Sequence, residues 1–143
     1  MTPSLVLLDT NVVLDLLLAR EPFDRDAIAI ASKAAHGELV AYIGATSVTT
    51  IHYIARKTLG TRDADIAIGR LLQLFQIAPV TEKVLSSALA RGFNDFEDAV
   101  IDAAAELVGV DALITRDVDG FKLSQIPVFA PHELLRALTA QGR

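Results

Sequence analysis

The chain has 143 residues, of which 52% are hydrophobic and 22% are charged, so residues 1–143 suffice for a single domain with a sizeable core. It contains no cysteine, which excludes disulfides, thiolate metal sites and cysteine nucleophiles and is typical of a reducing compartment. The formal net charge of −5 argues against a nucleic-acid binder held mainly by bulk positive charge, but it is compatible with an acidic site neutralised by a divalent metal.

The N-terminal segment resembles neither a signal peptide nor a membrane span. Residues 1–4 lack a basic region, and Asp9 and Asn11 interrupt the apolar run that follows them. No uninterrupted apolar stretch approaches the roughly 20 residues that a membrane helix needs. We therefore expect a soluble, cytoplasmic protein that makes no contact with a membrane.

The first element is a run of four apolar residues, 5–8, that ends at a carboxylate, Asp9. Such a run predicts a strand buried on both faces, with Asp9 at its carboxyl end, where open α/β sheets bind their ligands. The alternative is that Asp9 or Thr10 only caps the helix that begins near Asn11. Neither role excludes the other.

The rest of the chain alternates helical patterns with short apolar runs. The patterns predict helices over about 12–19, 24–35, 46–59, 63–75, 81–90 and 95–108, with a last helix beginning at Pro131. The remaining predicted strands cover about 39–43, 76–80, 112–115 and 127–129. Apolar strands separated by helices predict an α/β fold, a three-layer α/β/α sandwich with a short central parallel sheet.

A second acidic segment opens the helix predicted over 95–108. Helical spacing places Asp95, Asp98 and Asp102 on one face and predicts that Glu97 points elsewhere. These like charges repel one another, and a divalent cation would offset that repulsion. The alternative is an ordinary acidic first turn with Asp95 as its cap. The apolar residues that border the acids favour a functional cluster over a solvated face.

A third segment, residues 112–121, repeats the arrangement at Asp9. An apolar strand is followed by a polar residue, Thr115, and then by a carboxylate, Asp117. A turn built on Asp119 and Gly120 is the alternative, and it accounts for Asp119 better than for Asp117. We therefore interpret Asp117 as functional.

Asp9, Asp98 and Asp117 together predict an oxygen-rich site at one edge of the sheet. Hard divalent cations such as Mg²⁺ or Mn²⁺ prefer oxygen ligands of this kind. A bound divalent ion binds a phosphoryl oxygen, activates water and stabilises a leaving oxygen, which are the requirements of phosphodiester hydrolysis. No single motif carries this prediction, which rests on the conjunction of the three.

With these residues the chain resembles the PIN domain, a family of Mg²⁺- or Mn²⁺-dependent ribonucleases that includes the toxins of many bacterial toxin–antitoxin pairs. The resemblance covers nearly the whole chain and rests on four segments: 8–11, 95–99, 114–121 and 126–131. It implies an α/β/α sandwich with an acidic metal centre, an RNA substrate and an antitoxin protein as partner. PIN proteins are often dimers, and the apolar helical pattern over 66–75 also favours a homodimer.

The resemblance also implies a role for individual side chains. Asp9 corresponds to the first metal-binding aspartate, Asp98 to the aspartate that opens the late helix, and Asp117 to the acid after the fourth strand. Three further positions are auxiliary: Asn11, Thr115 and Asp119. Asn11 supports Asp9. Glu97 is also auxiliary and substitutes in a variant arrangement.

The sequence departs from the family on the helix after the second strand, where a glutamate is usual and the corresponding stretch places His52. A neutral histidine binds Mn²⁺ but serves Mg²⁺ poorly. This departure indicates a variant branch, and it favours a second hypothesis, a catalytically impaired PIN-like module that binds RNA or protein. The alternative for His52 itself is a partly buried histidine hydrogen-bonded near Tyr53.

Three basic residues are candidates for phosphate contacts. Arg116, next to Asp117, either binds a substrate phosphate or balances the acidic cluster. Arg56 and Lys57 contact a phosphate backbone or an antitoxin segment, or simply form a solvated helix face. The leading hypothesis is a metal-dependent ribonuclease of the toxin type.

Overall fold

The computed structural model describes residues 3–142 and contains one parallel sheet of five short strands. The strands are β1 (Leu5–Leu8), β2 (Val40–Gly44), β3 (Gln76–Ala78), β4 (Ala112–Ile114) and β5 (Val128–Phe129). Their order in the sheet is β3-β2-β1-β4-β5, which places β1 at the centre. The predicted α/β fold with a short parallel sheet is confirmed.

Seven helices flank the sheet in the described part of the chain. They are α1 (Thr10–Leu17), α2 (Asp24–Ala35), α3 (Ala45–Leu59), α4 (Thr61–Leu74), α5 (Glu82–Leu89), α6 (Phe96–Val108) and α7 (Pro131–Gly142). A short 3₁₀ helix, Val118–Phe121, follows β4 where the sequence predicted a turn. Helix α1 begins two residues before its predicted start because the Asp9 side chain caps it. Among residues 3–142, no helix is long and apolar enough to cross a membrane.

Each face of the sheet carries its own hydrophobic cluster. On one face Val6, Leu8 and Ile114 pack among side chains of α1, α2, α3, α4 and α7. On the other face Leu7 and Leu113 pack against α5 and α6. Successive strand side chains alternate between the faces, so a strand buried on both sides must be apolar throughout. This explains the unbroken run over 5–8 and produces the three layers.

The sheet brings the ends of β1 and β4 together. Leu8 pairs with Ile114 in a parallel register, and the Asp9 backbone N–H donates to the Ile114 carbonyl at 2.8 Å. The residues that follow both strands therefore lie side by side at one edge. Helix α6 begins at the same edge, which adds its first turn to the group.

Candidate metal centre

Asp9 is held at the end of β1 by two hydrogen bonds. Its Oδ1 accepts from the Thr10 backbone N–H, and its Oδ2 accepts from the Thr115 hydroxyl, each at 2.7 Å. The side chain is buried, with 6% of its surface exposed. Thr115 also accepts from the Asp117 backbone N–H at 2.9 Å, so this buried hydroxyl links the two strand-end aspartates. Asp9 thus caps α1 and also faces the acidic group.

Asp117 is held by the turn that follows it. Its Oδ1 accepts from the Gly120 backbone N–H at 3.2 Å. A Cβ atom on Gly120 would lie 2.6 Å from Asp117 Oδ2 and 3.4 Å from Asp98 Oδ2. A side chain at position 120 would therefore displace the Asp117 carboxylate. The Asp119–Gly120 pair in the sequence predicts only a turn and gives no sign of this contact.

The first turn of α6 supplies the other acids. Asp95 caps the helix, accepting from the Asp98 backbone N–H at 3.1 Å. Glu97 reaches α3, where its Oε2 accepts from the Thr50 hydroxyl at 3.3 Å. Glu97 and Asp98 both line the same cleft, so the expectation that Glu97 points away from the other acids is wrong. The first turn of a helix that starts at the edge of a cleft presents neighbouring residues to that cleft.

Asp102 does not join this group, contrary to the predicted shared face. Its side chain is buried, and its Oδ2 accepts from Nη1 of Arg91, two residues after the end of α5, at 2.7 Å. Its Oδ1 accepts from the Ser124 hydroxyl. Asp102 lies one helical turn after Asp98 in α6, and its carboxylate faces Arg91 and Ser124 instead of the cleft.

The cleft has a volume of about 250 Å³. Five carboxylates line it: Asp9, Asp95, Glu97, Asp98 and Asp117. Among the described residues, no lysine or arginine lines it. Burial raises the pKa of Asp98 to about 7, and the charges of the other four acids add to this. Burial also raises the pKa of Asp9, against the opposing hydrogen bonds from Thr115 and Thr10. The site therefore disfavours its own full ionisation.

The chemistry of this donor set fits Mg²⁺ or Mn²⁺. All its charged donors are carboxylate oxygens, and a divalent cation would offset both the burial and the repulsion that raise the pKa of Asp98. Within residues 3–142, no three acidic or histidine side chains already converge on one metal position. Mg²⁺ is usually bound through one or two carboxylates while it keeps several waters, so three preassembled ligands are not required.

Arg116 lies outside the cleft, contrary to its predicted contact with a substrate phosphate. Its Nε and Nη2 donate to Asp15 at 2.6 and 3.2 Å, and its guanidinium lies 3.9 Å from the centre of the Phe23 ring. Asp15 is only 1% exposed, so its burial requires this partner. The Arg116 backbone N–H donates to the Asn11 side chain at 3.4 Å, which ties the end of β4 to α1.

His52 also lies outside the cleft. Its Nε2 is 2.7 Å from Asp65 Oδ1 on α4, while Thr50, two residues earlier, lines the cleft. Residues two apart on a helix point to nearly opposite sides, so Thr50, and not the predicted His52, is the residue of α3 that faces the acids.

Three further residues with predicted contacts, Arg56, Lys57 and Asp119, do not line the cleft. Arg56 and Lys57 lie 5.7 and 4.4 Å from the Tyr53 ring centre, on an exposed part of α3 that does not line the cleft. Asp119 lines a neighbouring cavity instead. Arg56 therefore does not line the acidic cleft.

The sequence pattern that defines the PIN domain matches residues 5–119. The chain belongs to the PIN domain family. PIN domains are typically metal-dependent ribonucleases, which agrees with an acidic cleft at the carboxyl edge of the sheet. Comparison with curated protein sequences finds no match.

Solved structures resemble this PIN domain over most of its length. A chain in a toxin–antitoxin complex from Klebsiella pneumoniae is 25% identical, with a TM-score of 0.65, over 90% of this chain and 98% of that one. The Sarcin-Ricin loop cleaving toxin VapC20 from Mycobacterium tuberculosis is 20% identical, with a TM-score of 0.65, over 80% and 92%. VapBC2 from Rickettsia felis, bound to a DNA fragment from its promoter, is 11% identical, with a TM-score of 0.67, over 88% and 98%. The last two likenesses establish the fold alone.

Proposed function

We propose that this PIN domain is a Mg²⁺- or Mn²⁺-dependent endoribonuclease that hydrolyses RNA phosphodiesters as the toxin of a toxin–antitoxin pair. The observation that carries the proposal is the cleft in which carboxylates from β1, α6 and the turn after β4 face one another without a cationic side chain. The raised pKa of Asp98, to about 7, agrees with a site whose charge is balanced by a ligand.

Asp9, Asp98 and Asp117 are the residues that would hold the ion, with Glu97 beside them. A divalent ion bound there neutralises phosphate charge and acidifies an attacking water. The chain fixes its ligands beforehand, because Thr115 orients Asp9 and the Gly120 backbone N–H orients Asp117. Such supporting hydrogen bonds set the direction in which a ligand presents its free oxygen.

Glu97 has a different role in this proposal. It is exposed, and its contact with Thr50 carries it across the mouth of the cleft to α3. In this proposal its carboxylate orients the attacking water and accepts its proton. Thr50 lines the cleft from α3, the helix on which the family usually has a glutamate, so we infer a variant branch in which α6 supplies that carboxylate.

Cleavage of mixed RNA by the purified protein, with and without Mn²⁺, tests the proposal. We expect cleavage only with the metal, and a loss of at least about 100-fold in Asp9→Asn and Asp117→Asn, since even groups that only orient metal ligands contribute 10–100-fold. Asp63→Asn removes an exposed carboxylate of α4 and is the matched control, with wild-type activity expected. Metal-independent cleavage, or an Asp9→Asn variant as active as wild type, overturns the proposal.

A second candidate is a PIN module that binds RNA or protein without catalysis. It is favoured by the presence of Thr50 in place of a carboxylate on the α3 side of the cleft. RNA binding combined with no Mn²⁺ binding at millimolar concentration would support this candidate against the first.

We also propose an antitoxin partner and self-association. The structural homologue from Klebsiella pneumoniae is part of a toxin–antitoxin complex, which supports the first. Ile66 and Leu72 on α4 are 46% and 51% exposed, which supports the second. Sedimentation of the isolated protein distinguishes a homodimer from a monomer.

A further inference from the structure

A second cavity, of about 450 Å³, adjoins the acidic cleft. It shares the carboxylates of Asp95, Asp98 and Asp117 with the cleft, so the two spaces lie on either side of the same acids. Its other walls come from residues 92–94, before α6, and from residues 119–123, in and after the 3₁₀ helix. The volume is within the range of about 300–1,000 Å³ that small-ligand sites occupy.

Lys122 is the one basic side chain among the residues that line either space. It forms no ion pair within 4.0 Å in the described part of the chain, whereas Arg91 and Arg116 are both paired with aspartates. The cavity wall also contains Asp119 and the three shared carboxylates. Lys122 is exposed, and an ammonium group without an ion-pair partner is available to an incoming anion.

The uncharged walls combine apolar surface with one amide. Phe93 and Leu123 provide the apolar surface, and the Phe93 ring is fixed edge-on against Phe121 with centroids 6.0 Å apart. Asn94 is exposed and offers both donors and an acceptor. An apolar wall, an amide and a cation form the set of groups that proteins use to hold an unstacked nucleotide.

We propose that this cavity binds an unpaired nucleotide of the substrate, next to the phosphate that is cleaved. Lys122 contacts the phosphate of that nucleotide, and Phe93, Leu123 and Asn94 contact its base. The proposal rests on the proposed function, because the shared carboxylates then mark where the cleaved phosphate lies. Bases in a duplex are stacked and paired, so a base can enter the cavity only when it is unpaired.

The test measures kcat, KM and Kd with Mn²⁺ on a short unstructured RNA, and again on the same RNA annealed to its complement. For Lys122→Gln we expect a KM several-fold higher with little change in kcat, and Lys122→Arg restores it. The salt dependence of log KM falls by about 0.7 in Lys122→Gln, the value for one lost phosphate contact on a single strand. The duplex is cleaved at least about tenfold more slowly, since pairing blocks extrusion of a base.

Lys83→Gln is the matched control, because it removes an exposed lysine of α5 that lines neither space. The proposal is overturned if Lys122→Gln keeps the wild-type KM and salt dependence, if Lys83→Gln shows the same changes, or if the duplex is cleaved as fast. A wild-type protein that cleaves nothing contradicts the proposed function instead. In that case fluorescence anisotropy of the same RNA still decides, because the cavity requires Lys122→Gln alone to weaken binding.

Discussion

Two groups of carboxylates in this molecule differ in their partners. Asp15 and Asp102 are each 1% exposed, and each accepts a hydrogen bond from an arginine, at 2.6 Å from Arg116 and 2.7 Å from Arg91. The acids of the cleft face other acids instead, and the pKa of Asp98 is raised to about 7. A buried carboxylate paired with arginine belongs to the framework, whereas mutually repelling carboxylates in a cleft indicate a functional site.

The largest expected effect comes from breaking a framework pair. Asp102→Ala removes the buried carboxylate partner of Arg91, which keeps only the more exposed Glu106, and should lower the free energy of unfolding by about 3 kcal/mol. Urea denaturation measures this. Asp63→Ala on the exposed surface serves as the control, with a change within about 0.5 kcal/mol. A loss from Asp102→Ala as small as the control would remove the distinction between the two groups.

A next test disturbs the cleft without removing a charge. In Gly120→Ala the new Cβ would stand 2.6 Å from Asp117 Oδ2, so the carboxylate must move. We expect kcat/KM for RNA cleavage to fall by about 10–100-fold, as for other groups that orient metal ligands. Gly69→Ala, where a Cβ meets nothing within 4 Å, should leave activity unchanged. Wild-type activity in Gly120→Ala would show that the position of Asp117 is not critical.

The pH dependence of stability distinguishes the groups in a third way. Because the pKa of Asp98 is raised from 3.8 to about 7, the folded protein holds a proton there that the unfolded chain has lost. This contribution to stability is complete below pH 3.8 and is lost as the pH rises to about 7. In metal-free buffer, the melting temperature of Asp98→Asn should therefore gain on that of wild type across this window. A difference in melting temperature between the two proteins that does not change with pH would contradict the raised pKa.

The smallest effect concerns an exposed pair. His52→Gln removes the contact with Asp65, whose side chain is 64% exposed. Surface pairs of this kind contribute about 0.2–1 kcal/mol, so stability should change by no more than that. RNA cleavage should stay at the wild-type rate, because His52 does not line the cleft. A large loss of activity in His52→Gln would show that His52 contributes to the site.

The sequence predicted the strands and the strand-end acids well because a parallel sheet buried on both faces leaves a clear signal. An unbroken apolar run such as 5–8 is typical of a strand buried on both faces, and Asp9 follows directly after it. The side of a helix on which each residue lies was harder to predict. On α3 the residue that lines the cleft is Thr50 and not the predicted His52, and Glu97 was assigned to the wrong side of α6. Each helical residue turns by about 100°, so a small error in alignment changes the neighbours completely.

Long-range pairing was the other part that the sequence did not reveal. Arg116 is adjacent to Asp117, which suggested a role in the site, but its partner is Asp15, 101 positions away. No spacing rule connects these two residues. Only the parallel pairing of β1 with β4 brings the start of α1 beside the end of β4.

Mn²⁺ binding, followed by the electron paramagnetic resonance signal of the free ion, tests the central claim that the cleft is a divalent-metal centre. We predict that the wild-type protein binds Mn²⁺ below millimolar concentration, because its carboxylate ligands are of the kind that this ion prefers. Asp98→Asn should weaken binding at least about tenfold, whereas His52→Gln should leave it unchanged. Absence of binding at millimolar Mn²⁺, or equal binding by Asp98→Asn, would contradict the claim.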